Sequence, residues 1–422
     1  MTGWSRRAFL QGGAALAASA CARGGDEVLR FWAMGREGEV ATKLLAAFER
    51  ENPGVKVRVE QLPWTAAHEK LLTAFAGDAT PDLAQMGNTW LPEFVALDAI
   101  EPLDGRLRGS AIDLADYPRG IVDTNVVEGL QWGVPWYVDT RLLFYRKDLL
   151  AAAGYPAPPR DWDEWLRMME ALKARGGGDR FALLLPLNEY EPMVALWLQQ
   201  PEPLLRDGNR YGNFRSEGFL RTLRFYLSVY ERKLAPPMTN NEVANVWNEF
   251  GRGYFSFYIS GPWQIGEFKR RLPPELQHTW MTAPLPGPTG PGASIAGGSS
   301  LVLFKRSRKK DAAWKLVEFL SRTAVQQEFY RTTGNLPARR SAWADPALAA
   351  DPYAQAFRDQ LERVRPVPQV PEWERIATEL RLLMEKVVHG DLPASRVPEE
   401  LDARADRILE KRRFMLDRRR AG

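Results

Sequence analysis

Apolar positions along the chain fall into short strand-length runs separated by stretches of helical spacing. Val28-Leu29-Arg30-Phe31-Trp32-Ala33-Met34 is a strand-length run. From Gly35 to Glu51, Val40, Leu44, Ala47 and Phe48 recur at helical spacing, and Asn52-Pro53-Gly54 ends the helix. Val55 to Val59 alternates as a half-buried strand. A second helix follows from Thr65 to Ala76, then a short strand from Pro81 to Met86. Strand, helix, strand, helix, strand predicts an α/β fold with a largely parallel sheet and helices on its faces.

Beyond this unit, Arg141 to Arg146 reads as a strand. Asp161, three residues before Glu164, caps a helix. Phe181 to Leu187 is another apolar strand. Helices are expected over Met193 to Gln199, Ser216 to Glu231 and Asn241 to Arg252. Tyr254 to Ile259 is a buried strand, broken at Ser260-Gly261-Pro262, with Trp263 just beyond. Ligand clefts in open α/β sheets form where loops leave the carboxyl ends of strands. Trp263 is therefore a candidate ligand platform, with burial in the core as the alternative. Pro284 to Gly292 is a loop, and Leu301 to Phe304 a strand. Helices follow over Lys309 to Ser321 and Ala324 to Thr332, the latter ending at Gly334. Two long helices close the chain, Glu372 to Val388 and Pro398 to Met415.

Composition alters this picture at two points. Among 422 residues there are 15 tryptophans, and an indole stacks on flat apolar faces such as that of a pyranose. The net charge of +4 is too small to imply a polyanion partner. Lys411-Arg412-Arg413 and Arg418-Arg419-Arg420 read as a solvated helix end, where cations suit the dipole. The one cysteine, Cys21, excludes an intramolecular disulfide. It follows Arg6-Arg7, a short apolar stretch and Ala18-Ser19-Ala20. That stretch is too short to span a bilayer core of about 30 Å as a helix. Residues 1–21 resemble a signal peptide with a twin-arginine pair and a lipobox-like end, with Ala18 where Leu is commonest. A plain signal peptide with an incidental cysteine is the alternative. Lipidation of Cys21 would give a periplasmic or otherwise extracytoplasmic protein a membrane anchor.

Catalytic motifs are absent. The three histidines, His68, His278 and His389, lie far apart, and no H-E-x-x-H, C-x-x-C, G-x-S-x-G or Walker loop occurs. No metal or cofactor is expected. Basic residues are not interleaved with aromatics, which argues against nucleic acid. Two glycosidase carboxylates could hide among 53 acidic residues, so a secreted glycoside hydrolase stays an alternative.

Several stretches taken in order resemble a known family. They are Phe31-Trp32 with Phe48-Glu49-Arg50-Glu51-Asn52-Pro53-Gly54, and Pro81-Asp82-Leu83 through Gly87-Asn88-Thr89-Trp90. Next come Gly133-Val134-Pro135 through Asp148-Leu149, then Gly261-Pro262-Trp263. The last runs from Gly297-Gly298-Ser299 through Ala312-Ala313-Trp314 to Gly334-Asn335-Leu336-Pro337. In this order they resemble the family-1 extracellular solute-binding proteins of ABC importers, which include maltose- and trehalose-binding proteins.

The resemblance implies a two-lobe, type II, maltose-binding-like α/β fold of the periplasmic-binding-protein kind. A ligand cleft would lie between the lobes, with hinge crossings near Tyr137–Asp139, Gly298–Leu301 and Gly334–Pro337. Residues 22–137 plus 301–334 would form the N-lobe, and 138–300 plus 335–422 the C-lobe. It further implies a non-enzymatic monomer that hinges shut on a di- or oligosaccharide, an α-glucoside by preference. Two permease membrane subunits and an ATPase would be its partners. A receptor for another solute, such as a glycerol phosphate, remains an alternative. Trp263 and Trp373 would be the sugar-stacking aromatics. Asn88, Thr89 and Trp90 would line the N-lobe wall. Asp139 would accept sugar hydroxyls, with capping of the hinge as its alternative, and Glu37 (with Glu39 its rival) would do likewise. Tyr190 would pack on the ring, Trp64 would line the cleft or simply start its helix, and Gly298 and Ser299 would offer backbone and hydroxyl donors.

Overall fold

The computed structural model describes residues 27–243 and 245–421. Residues 1–21, expected to be a signal peptide ending at Cys21, lie outside the described residues. Ten strands build two sheets, labelled here in chain order. The first sheet takes β1 (Glu27–Met34), β2 (Val55–Leu62), β3 (Leu83–Gly87) and β4 (Val134–Asp139). The second takes β5 (Leu142–Arg146), β6 (Leu183–Leu184), β7 (Phe257–Ser260) and β8 (Trp280–Ala283). The chain then returns to the first sheet with β9 (Gly297–Leu303) and β10 (Leu336–Pro337). The strand orders are β10-β4-β9-β3-β1-β2 and β8-β5-β7-β6.

The expected parallel unit is present, since β1 pairs in parallel with both β2 and β3. The sheet as a whole is mixed. β9 arrives from the second lobe and runs antiparallel to both β3 and β4. Residues 297–300 and 336–337, assigned by sequence to the second lobe, hydrogen-bond in the first sheet.

Alternation explains why both faces are covered. Along β1, Leu29, Phe31 and Ala33 enter one core while Trp32 and Met34 enter another. Along β5, Leu142 and Phe144 face one core, Leu143 and Tyr145 the other. A strand buried on both sides reads as a continuous apolar run. β8 and the helix Trp263–Arg271 were not anticipated. Pro262 precedes that helix, which begins at Trp263 instead of leaving it in a loop. The closing helix is two, Val397–Ile408 and Glu410–Ala421, broken at the fully buried Leu409. Lys411-Arg412-Arg413 therefore opens a helix instead of ending one.

Only Thr140 and Arg141 separate β4 from β5, so two residues carry the chain between sheets. Beside them runs the returning segment. Thr140 Oγ1 donates to Ile295 O at 2.8 Å, and Ser294 Oγ donates to Arg141 O at 2.6 Å. Gly297 then pairs with Asp139, and Gly298 with Val138. Gly298 sits at φ +125, and a Cβ there would lie 2.4 Å from Tyr137 O. Such a contact cannot be relieved without parting the strands. Gly298→Ala should therefore cost more than the ~1–3 kcal/mol of a strained backbone position, read as a lowered denaturant midpoint. An unchanged midpoint would show that this strand pair yields freely.

Candidate functional site

The carboxyl ends of β1, β3 and β4 and the starts of β9 and β10 all lie at one edge of the first sheet. The antiparallel pairing makes this so, because Gly297 and Leu336 meet the last residues of β4. Facing that edge is a cavity of about 640 Å³. Small-molecule clefts span roughly 300–1,000 Å³. The first sheet, with the helix that follows β1 and the turn that follows β3, supplies Glu37, Asn88, Thr89, Trp90, Tyr137, Asp139 and Gly298 to its lining, and Trp64 borders them. Across from them stand Arg141, Tyr190, Glu191, Trp263 and Glu374.

Trp263 is 38% exposed, which is high for an indole in a folded chain. Its ring folds back over Gly261, where a Cβ would meet it at 1.9 Å. The Gly-Pro-Trp order thus has a steric basis: glycine leaves room for the ring, and Pro262 starts the helix that carries it. The Arg141 guanidinium lies 4.8 Å from the ring centroid and covers one face. On the opposite wall Trp64 meets Trp90 edge to face at 5.8 Å, and His68 packs on Trp90 at 5.0 Å.

Arg141 is the hub of the site. Its Nη1 donates to both oxygens of Asp139 at 2.9 and 3.1 Å, and its Nη2 to Glu191 Oε1 at 3.3 Å. Burial opposes the charge of this guanidinium, but Asp139, Glu191 and Glu189 outweigh it and raise its pKa. Burial also raises the Asp139 carboxyl, against the pull of Arg141. Glu37, at the start of the helix Gly35–Glu51, is raised by burial too. Asn335 Nδ2, donating to its Oε1 at 2.5 Å, works the other way. Glu374 is raised by burial, opposed by Thr89 across the cleft, while Tyr190 OH lies 3.3 Å from both of its oxygens. Four carboxylates thus line a cavity with two cations, Arg36 and Arg141. Such a surface is rich in hydrogen-bond acceptors and hostile to an anionic ligand.

The structure brings most of the sequence candidates to this cavity and leaves out two. Trp373 is 1% exposed and belongs to the second-lobe core. Its helix buries Trp373, Ile376, Ala377, Leu380, Leu383 and Met384 on one stripe, so helical spacing marks it as core. Its neighbour Glu374 is the residue that turns to the cavity. Ser299 lies buried between Gly87 and Tyr137, behind the wall that Gly298 forms. Asn88 lines the cavity but spends its amide on Thr124 Oγ1 at 3.1 Å and Ala296 O at 3.4 Å. Between the rival acids, Glu37 is buried in the site and Glu39 is exposed outside it. Sequence reasoning missed Arg141, Glu191, Glu374, Tyr137 and Asn335. The spacing Asp139-Thr140-Arg141 was the one local hint of an ion pair at the crossing.

Two lobes, each with its own sheet, enclosing an aromatic and carboxylate-lined cavity at their crossing strands, define the type II, maltose-binding-like fold. Residues 34–327 match the family described as bacterial extracellular solute-binding protein, and the chain belongs to that family. It is similar to the solved sugar-binding protein MalE from the phytopathogen Xanthomonas citri. The two are 54% identical with a TM-score of 0.89, over 92% of this chain and 99% of that one. A putative binding protein of Brucella abortus is 29% identical over 89% of this chain and 91% of its own length. The diacetylchitobiose binding protein DasA of Streptomyces coelicolor is 23% identical over 80% of each. The family consists of binding proteins, not enzymes, and no helix among the described residues is long and apolar enough to cross a membrane.

The raised pKa of Glu37 has a testable sign. A carboxyl whose folded pKa exceeds its unfolded value binds protons more tightly when folded, so its ionisation opposes folding above that window. Glu37→Gln should therefore raise the melting temperature at pH 7. Its advantage over wild type should shrink as pH falls through the raised Glu37 pKa towards 4.5. Melting curves of the two proteins between pH 4 and 8 check this; an advantage independent of pH would contradict it.

Proposed function

We propose that this protein is the substrate-binding component of an ABC importer. It captures a di- or oligosaccharide, a maltose- or trehalose-like α-glucoside, in the interlobe cavity and delivers it intact to two permease subunits powered by an ATPase. The observation that carries this reading is Trp263, 38% exposed in a cavity that Asp139 and Glu191 also line. A pyranose ring presents an apolar face to such an indole and hydroxyl donors to such carboxylates. Asp139 would take hydroxyls at the hinge, Glu37 at the first-lobe wall, and Glu374 where the two walls meet. Trp64 and Trp90 would shape the far end. The name of the 54%-identical relative, a sugar-binding protein, supports the ligand class.

The excess of carboxylates over arginines weighs against a glycerol phosphate, since a dianion would meet repulsion there. In this reading the protein works outside the cytoplasm as a monomer, lipid-anchored at Cys21. Its lobes hinge shut on the sugar.

A thermal-shift series with maltose, trehalose and maltotriose should show saturable stabilisation by at least one sugar. At a hundredfold excess over Kd the gain is about 2.7 kcal/mol. The sugar should be recovered whole, and recovery as hydrolysed product would instead establish a glycosidase. Trp263→Ala should lower affinity at least about tenfold, the loss of one stacking contact worth ~1.4 kcal/mol, and leave the melting temperature nearly unchanged. Trp373→Ala should do the reverse, costing about 3–5 kcal/mol of stability because it empties a core position. Unfolding of Trp263→Ala would mark that indole as core.

A further inference from the structure

The helix Glu410–Ala421 carries six cations and two carboxylates, and thereby the chain's entire net charge of +4. The rest of the sequence balances to zero. Charge that would be negligible when spread over 422 residues is concentrated here on three turns of helix. Lys411, Arg412 and Arg413 occupy the first turn, where the helix macrodipole disfavours cations, so capping does not account for them.

One side of this helix is tied to the body. Arg210 Nη2 donates to Asp417 Oδ1 at 2.6 Å, and Arg413 donates to Arg210 O at 3.1 Å while its guanidinium lies 4.7 Å from the Tyr211 ring centroid. Leu416 is half-buried on the same helix. Exposed at i, i+3, i+4 and i+7 are Lys411, Phe414, Met415 and Arg418, a single stripe. Phe414 is 61% exposed and Met415 47%, an adjacent pair of large apolar side chains bare to solvent. Arg418 lies 5.7 Å from the Phe414 ring centroid. Two apolar residues flanked by cations, on a helix fixed along its other side, match the make-up of an interfacial helix. A polyanion such as nucleic acid would use the cations but not the apolar pair. A neutral apolar partner would use the pair and leave the cations unmatched.

We propose that the helix Glu410–Ala421 docks on an anionic phospholipid surface, with Phe414 and Met415 entering the headgroup boundary and Lys411 and Arg418 meeting the lipid phosphates. Docking there fixes the orientation of the two lobes above the membrane. It is independent of what the cavity binds.

Co-sedimentation of the full chain with vesicles tests the proposal. Vesicles of phosphatidylcholine with 30% phosphatidylglycerol should bind at least about tenfold more tightly than pure phosphatidylcholine, and 0.5 M salt should abolish the difference. Lys411→Glu with Arg418→Glu should remove the preference for phosphatidylglycerol. Phe414→Ser with Met415→Ser should weaken binding to the anionic vesicles several-fold at unchanged charge. Both double variants should keep the wild-type melting temperature. Equal binding to the two vesicle types, or anionic binding that either double variant leaves untouched, would overturn the proposal. Such a result would assign the stripe to a protein partner or to solvent.

Discussion

A single buried guanidinium holds the site together. Arg141 sits on the two-residue crossing between the sheets. It grips Asp139 at the end of the first sheet, reaches Glu191 on a second-lobe helix and underlies the Trp263 ring. Removing either partner of such a pair leaves an uncompensated buried charge, which costs about 3–5 kcal/mol. Arginine suits the position because its planar fork can serve two carboxylates and stack on an indole at once. The crossing between the sheets, two of the cavity's carboxylates and its exposed indole thus meet at one residue.

The same cluster shows why this cavity is costly to maintain. Burial pushes up the carboxyls of Glu37, Asp139, Glu189 and Glu374, so the folded protein holds acids where they are least comfortable. The Arg141 guanidinium offsets part of that cost for Asp139 and Glu189. A polyhydroxyl ligand brings donors that match these acceptors. Glu374 and Thr89 meet from opposite walls of the cavity.

Much of the scaffold was legible in the sequence because local chemistry decides it. The apolar run of β1, the spacing of Val40, Leu44 and Phe48, and the stop at Asn52-Pro53-Gly54 all act within a few residues. Trp263 was legible because Gly261 and Pro262 constrain it locally. Trp373 misled, since a tryptophan after a proline-rich loop looks the same whether it faces the cavity or the core. The stripe it shares with Ile376 and Leu380 carried the answer. Arg141 and Glu191 escaped because they are joined across 50 residues, and single-sequence patterns do not report long-range ion pairs. The run Lys411-Arg412-Arg413 read as a helix end until the break at Leu409 made it a helix start.

The account stands or falls on where a ligand sits. Crystals of the protein grown with the sugar that stabilises it should show a pyranose ring against the face of Trp263 not covered by Arg141. Its hydroxyls should donate to Asp139 and Glu37, with Arg141 still bound to Asp139. A sugar seated away from Trp263, or a ligand whose charge is met by a displaced Arg141, would contradict it.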